Sequence, residues 1–185
     1  MQDVSFTFAV TDPALWSAEQ PNLYEAEIAL LREGALVERT GLKVGLRKFE
    51  LKDRQILLNG QRIVFKGVNR HEWSCRTGRT VSREEMLWDV KNLKAHNVNA
   101  VRTSHYPQSQ YFLDECDRRG LLVFTELPGW QHIGDDNWKD AACEMLQEML
   151  LQNRNHPSII LWGVRINESV DDDAFYNRTN KIAHQ

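Results

Sequence analysis

From about residue 64 to residue 184 the sequence alternates short β-rich runs with helical patterns, and no other feature restricts the fold as much. Residues 64–69 read as a strand. Ser82-Arg83-Glu84-Glu85 then reads as a capping box, the Ser82 hydroxyl placed to accept from the third helical N–H while Glu85 reaches back. The helix it opens runs to about His96, with Met86, Val90 and Leu93 on one face. The pattern recurs as a strand over 98–103, a helix over 109–119 stopped by Gly120, a strand over 121–125, a helix over 138–154, a strand over 158–163 and a helix over 172–184. Four such units predict parallel strands joined by right-handed crossovers. A complete eight-unit barrel takes about 250 residues, so residues 48–185 are expected to form the first half of a (β/α)8 TIM barrel.

Upstream the period changes to two. Residues 5–10, 23–30 and 36–44 alternate apolar and polar side chains, the mark of half-buried antiparallel strands. Three strands cannot close a sandwich, so residues 1–47 are expected to be the end of an immunoglobulin-like β-sandwich. Asn59-Gly60, between Ile56-Leu57-Leu58 and Ile63-Val64-Phe65, predicts a hairpin leading into the first barrel strand, because both central residues of a type I′ turn need positive φ.

Composition excludes little beyond the obvious classes. A net charge of −3 over 185 residues, with no polybasic block, argues against nucleic acid and anionic membrane as partners. No apolar stretch is long enough to span a bilayer, and the first residues lack a signal-like core. The compartment stays open, since a signal segment could lie upstream of these residues. The three cysteines, Cys75, Cys116 and Cys143, lack metal-ligand spacing and are expected to be free thiols packed as small apolar groups.

The candidate chemistry gathers at strand ends. Asn167-Glu168 follows the apolar run Ile159-Ile160-Leu161-Trp162, where a (β/α) barrel presents its catalytic face. Glu168 is therefore a candidate general acid/base, and the indole of Trp162 is expected to raise its pKa by desolvation. Arg102 and His105 come at the end of the second strand and His71 after the first, so all three are expected on the same rim. Glu126, at the end of the third strand, is expected to pair with Arg70 or Arg102, a second active-site carboxylate being the alternative. Asp171-Asp172-Asp173 is expected at a helix N-terminus, favoured there by the macrodipole.

Two long motifs carry a family resemblance. Asn99-Ala100-Val101-Arg102-Thr103-Ser104-His105-Tyr106-Pro107, continued by Asp117-Arg118-Arg119-Gly120-Leu121-Leu122-Val123-Phe124, and Asn155-His156-Pro157-Ser158-Ile159-Ile160-Leu161-Trp162-Gly163 with Asn167-Glu168, resemble glycoside hydrolase family 2. Pro13-Ala14-Leu15-Trp16, Pro21-Asn22-Leu23-Tyr24 and Gly45-Leu46-Arg47 resemble the close of that family's sandwich domain. The resemblance implies that Glu168 is the acid/base of a retaining β-glycosidase, with Asn167, His105 and His71 binding the sugar and Arg102 near the nucleophile. It also implies a carboxylate nucleophile from a later strand, beyond residue 185. The expected activity is that of a β-galactosidase on a β-linked glycoside, from a homo-oligomeric parent, the chain being a fragment inactive alone. A β-glucuronidase fragment, or a non-catalytic carbohydrate-binding or assembly module, are the alternatives.

Two departures from the family pattern matter. Some members bind magnesium through a Glu and a His after the third strand together with the acid/base. Here His132 falls at the His position but Trp130 stands in place of the Glu, so no cofactor is expected and magnesium is doubtful. The run Gly163-Val164-Arg165-Ile166-Asn167 is also one residue longer than in several relatives, which places Arg165 near the expected substrate.

Overall fold

The computed structural model describes residues 4–7 and 9–185. Its N-terminal third is set by three tight turns, each with two successive residues at positive φ, the geometry that matches strand twist across a hairpin. Glu33 (53°) and Gly34 (82°) join β1 (Tyr24–Arg32) to β2 (Ala35–Val44). Asp53 (51°) and Arg54 (61°) join β3 (Phe49–Lys52) to β4 (Gln55–Leu58), and Asn59 (53°) and Gly60 (79°) join β4 to β5 (Gln61–Arg62). Only the last of these turns carries the Asn-Gly signature. β1 and β2 pair from Tyr24 with Val44 to Arg32 with Ala35, and Ile28, Leu30, Leu36 and Val37 stay exposed on this ribbon.

Two expected strands differ. Residues 5–7, 9 and 10 form no strand, and Phe8 lies outside the described residues. Their alternation has no partner ladder among the described residues, and Phe6 is exposed. The first barrel strand, β6, begins only at Gly67 and runs to Arg70. The Asn99 side chain takes the backbone just before it: its Oδ1 accepts from Lys66 N–H at 2.8 Å and its Nδ2 donates to the Val64 carbonyl at 2.9 Å. A side-chain clamp thus stands where strand pairing was expected.

Beyond it the alternation holds. β6, β7 (Ala100–Thr103), β8 (Leu122–Glu126) and β9 (Ile159–Gly163) form one parallel sheet in that order, with Asn69 opposite Arg102 and Thr125 opposite Trp162. Each strand is followed by a helix: α1 (Arg83–Ala95), α2 (Gln110–Arg119), α3 (Asp136–Asn153) and α4 (Asp173–Ala183). The Ser82 capping box is complete, with Glu85 N–H on the Ser82 hydroxyl at 3.2 Å and Ser82 N–H on Glu85 Oε2 at 3.1 Å. Helix α3 starts at Asp136, two residues before the expected Trp138, because the Asp135 carboxylate accepts from Trp138 N–H and so caps it.

Met86, Val90, Phe112, Leu113 and Cys116 pack α1 and α2 on the outside of the sheet against Val101, Val123 and Ile159. Ala142, Cys143, Leu146, Met149 and Phe175 bring α3 and α4 together under Leu127 and Ile166. Each large apolar side chain so buried contributes about 1.5–3 kcal/mol. Cys116 and Cys143 are buried free thiols in these clusters, whereas Cys75 is exposed and packs in neither. Among the described residues no helix is long and apolar enough to cross a membrane.

The opposite end of the sheet, at the strand N-termini, is stopped by the N-terminal segment. Trp16 is fully buried with Ala18, Leu58, Leu122 and Ile160, and its indole N–H donates to the Asp117 carbonyl at 2.8 Å. Lys94 Nζ ties Ala18 and Gly120 together through their carbonyls, at 2.9 and 2.8 Å. The Arg47 guanidinium donates to the carbonyls of Pro157 and Ile159 at the foot of β9. With this end closed by packing, the C-terminal ends of the strands are left to carry chemistry.

Candidate active site

Arg102 organises the C-terminal rim. It sits near the end of β7, in register between Asn69 and Phe124. Its Nε donates to Glu126 Oε1 at 2.5 Å and its Nη2 to Asn167 Oδ1 at 2.8 Å. The partner of Glu126 is therefore Arg102. Arg70, buried, is committed to Asp89 through Nε and Nη2 at 2.9 and 2.8 Å, and to Gln108, while its guanidinium lies over the Phe112 ring. Glu126 lies two residues beyond Phe124, the register partner of Arg102, so the two charges meet diagonally across adjacent strand ends, and a fork-shaped guanidinium can serve both a carboxylate and an amide.

The two following loops are laced to each other. Trp130 and Asn167 form a parallel bridge that carries the β8–β9 pairing past the strand ends, and Gln131 N–H donates to the Asn167 carbonyl at 2.7 Å. Gln131 (φ 61°) and Glu168 (φ 55°) both hold left-handed backbone. Such conformations cost side-chain-bearing residues on the order of 1–3 kcal/mol and persist where surrounding structure holds them.

The lacing aims two donors at one carboxylate. Trp130 Nε1 and Gln131 Nε2 donate to Glu168 Oε2 at 3.1 and 3.0 Å. Gln131 first, then Trp130, holds the Glu168 carboxyl below its ordinary value, outweighing burial, which acts the other way. The expected upward shift from Trp162 is thus corrected: Glu168 is exposed, and donors rather than an apolar wall surround it. Trp162 instead packs against both helix-covered cores.

The imidazoles lie beside these groups. The His71 and His105 ring centroids are 5.2 Å apart, and His105 stacks on Trp130 at 6.1 Å with 8° between planes. His105 Nδ1 lies 3.5 Å from Glu126 Oε2, and neither buried atom has a hydrogen-bond partner. The structure thus brings all five residues expected at the site, His71, Arg102, His105, Asn167 and Glu168, to one rim. An open cleft of about 550 Å³ there is lined by Arg102, Phe124, Glu126, Trp162, Arg165 and Glu168.

Arg165 lines the cleft but is held from behind, with Nη2 2.7 Å from Asp171 and the guanidinium over the Tyr176 ring. Asp172 caps α4 by accepting from Phe175 N–H at 2.9 Å and pairs with Lys139 at 2.7 Å, as a helix N-terminus requires. Sequence reasoning alone does not reach Trp130 and Gln131 as partners of Glu168. Nothing in a run of neutral side chains marks two hydrogen bonds made across loops 37 and 38 positions apart.

The family profile for the TIM barrel domain of glycosyl hydrolases family 2 matches residues 49–184, and a second profile of the same family matches residues 1–47. The chain belongs to glycosyl hydrolase family 2. Residues 49–184 are thus part of the family 2 TIM barrel, and the segment before them belongs to the sandwich domain. A β-galactosidase of Thermoanaerobacter pseudethanolicus is 46% identical over 94% of this chain, which spans 24% of that protein. One from Lactobacillus delbrueckii subsp. bulgaricus is 40% identical over 94% of the chain and 19% of its own length. Among solved structures, Bacteroides uniformis β-glucuronidase 3 superposes over 99% of this chain and 25% of its own, with a TM-score of 0.85 at 31% identity. The family 2 β-galacturonidase of Eisenbergiella tayi, bound to galacturonate, gives 0.80 at 30% identity, over 91% of this chain and 31% of its own. The chain spans a quarter or less of each of these β-galactosidases.

The residues present do not suit the magnesium ion that some family 2 members bind. Trp130 directs an N–H, not an oxygen, at Glu168, and the exposed His132 ring is set edge-on to Trp138. Among the described residues, the three His, Asp, Glu or Cys side chains whose ligand atoms gather within 4.8 Å are Asp114, Asp117 and His156. These lie at the other end of the sheet, where Asp117 is already bonded to His156 and to Ser158 N–H.

Proposed function

We propose that this chain is the acid/base-bearing segment of a retaining β-glycosidase, with Glu168 as the proton donor to the glycosidic oxygen. One observation carries the reading: Glu168 and Asn167 stand on the catalytic rim of a parallel half-barrel, with Asn167 fixed by the Arg102–Glu126 pair. Asn167, His105 and His71 then contact the sugar at the scissile bond, and Arg102 stands near the nucleophile. That nucleophile is a carboxylate supplied by the part of the family barrel outside these 185 residues. Its negative charge, close to Glu168, favours the protonated acid and so opposes the two donors on Oε2.

The substrate is a terminal β-galactoside. Sequence similarity to β-galactosidases, 46% and 40%, favours this over the β-glucuronidase reading, for which the supporting likeness is structural at 31%. We place the boundary between sandwich and barrel at residues 47 and 48, between β2 and β3.

The test uses the parent enzyme. Glu168→Gln is expected to lose at least about a hundredfold in kcat/KM on an alkyl β-galactoside, the scale of general acid catalysis. An aryl galactoside, whose leaving group needs no proton, suffers far less in the first chemical step. Full activity of the variant on the alkyl substrate refutes the assignment, and faster turnover of β-glucuronides than of β-galactosides transfers the enzyme to the other activity.

A further inference from the structure

We propose that Trp130 and Gln131 are positioning residues that fasten Oε2 of Glu168 and leave Oε1 to exchange the proton, two neutral donors taking the place of a bound cation. The inference rests on reading Glu168 as the acid/base. The two side-chain hydrogen bonds from the facing loop both end on Oε2, and the Asn167 side chain on Glu168's own loop adds a third with a smaller effect. At these atoms an indole and a primary amide can only donate, so their hydrogens point where a cation would have to sit.

The donors are fixed to the loop that carries Glu168. Trp130 bridges Asn167 through its backbone and stacks on His105, while Gln131 N–H holds the Asn167 carbonyl. Displacing either loop displaces donor and acceptor together. The charged and titratable groups around Glu168 are His105 from the β7 end, Arg102 and Glu126 behind Asn167, and Arg165 on its own loop, already paired with Asp171. None of these donates to Oε2, so the clamp belongs to Trp130 and Gln131.

In the first step the O–H on Oε1 gives its proton to the glycosidic oxygen as the bond between that oxygen and the anomeric carbon breaks, its electron pair leaving with the oxygen. The nucleophile carboxylate forms the new bond to carbon, and the carboxylate left on Glu168 is stabilised through Oε2. In the second step Oε1 takes a proton from water as the water oxygen bonds to the anomeric carbon, and the nucleophile departs with its electron pair. The clamp therefore favours the ionised form in both halves.

The experiment titrates Glu168 by NMR in the parent enzyme carrying isotope-labelled glutamate carboxyls, with Glu168→Gln to assign the signal. Trp130→Phe and Gln131→Leu are each expected to raise the pH at which Glu168 titrates, and the double variant to raise it further. Millimolar magnesium is expected to leave the wild-type signal in place. A titration unmoved by both substitutions, in variants whose remaining spectrum is native, overturns the clamp, and a magnesium-dependent shift of the Glu168 signal overturns the replacement of the cation. In the parent enzyme the same substitutions are expected to move the alkaline limb of kcat/KM to higher pH, and an unmoved limb is equally fatal. Failure of the acid/base assignment reads differently: Glu168→Gln then stays active while the NMR shifts remain.

Discussion

Removing the Arg102 guanidinium should damage this protein mainly by stranding Glu126. Arg102→Met keeps most of the aliphatic volume and leaves Glu126, 5% exposed, without its guanidinium partner, since Arg70 is bound to Asp89 and Gln108 and what remains beside the carboxylate is the His105 imidazole at 3.5 Å. Breaking a buried pair from one side costs about 3–5 kcal/mol, and because Arg102 itself is 29% exposed the lower end applies, about 3 kcal/mol. For a chain of this length that corresponds to a melting temperature lower by roughly 6–12 °C. Adding Glu126→Gln removes the stranded charge and should return about half of the loss, leaving the cost of an imperfectly bonded amide, about 1–2 kcal/mol. Urea unfolding of the wild type, both single variants and the double variant gives the coupling directly. The reasoning fails if Arg102→Met costs under about 1 kcal/mol, or if the double variant is no more stable than that single one.

Three further outcomes follow from other parts of the structure. Gly120 caps α2 at φ 73° with its Cβ position 2.2 Å from the Ala18 carbonyl oxygen, so Gly120→Ala should cost about 2–4 kcal/mol through left-handed backbone and a forced shift of that carbonyl; a melt within about 1 °C of wild type disproves the contact. Lys139 pairs with Asp172, lowering the carboxyl and raising the ammonium, both through the hydrogen bond between them. The Asp172 contribution is present above its unfolded pKa and is lost as pH falls through the lower folded one, while the Lys139 contribution is present below its unfolded pKa and fades as pH rises through the higher folded one. Amide exchange in the first turn of α4 should therefore speed up at both extremes, and Asp172→Asn should abolish the acid-side effect. The isolated chain should self-associate, because β6 and β9 are open edges and Phe65, Val68 and Leu161 line an uncovered apolar face; a monodisperse monomer in sedimentation contradicts this.

The barrel half was legible because its information is local: period, caps and breakers sit within a few residues of the elements they set. Gly120 at the end of α2 and the Ser82–Glu85 box at the start of α1 are where the pattern puts them. The hairpin turn at Asp53-Arg54 is not legible because neither residue prefers positive φ, and at Glu33-Gly34 only the glycine does, so the Asn-Gly type of signal is absent from both. The five rim residues were legible from strand ends alone. What surrounds Glu168 was not, since it depends on how two loops meet in space. The same holds for Trp16, which reads as part of a sandwich close yet packs under the barrel strands.

The two ends of the parallel sheet are built to opposite standards. At the foot, the Trp16 indole, the Arg47 guanidinium and the Lys94 ammonium all donate to backbone carbonyls, and among the described residues Ser158 Oγ is the buried side-chain atom there without a partner. At the rim, His105 Nδ1 and Glu126 Oε2 face each other unbonded, and Gln131 and Glu168 are left-handed. Stability given up at one end is the expected sign of a site whose geometry is fixed for chemistry. Gln131 allows a direct test, because Gln131→Gly and Gln131→Ala delete the same donor to Glu168 while only the glycine is free of the left-handed penalty. The glycine variant should be the more stable by about 1 kcal/mol, the penalty of 1–2 kcal/mol being offset in part by the larger entropy of an unfolded glycine. Both should show the same rise in the pH at which Glu168 titrates. Equal stabilities would mean that the backbone at Gln131 is not strained, and the contrast between foot and rim would lose its strongest support.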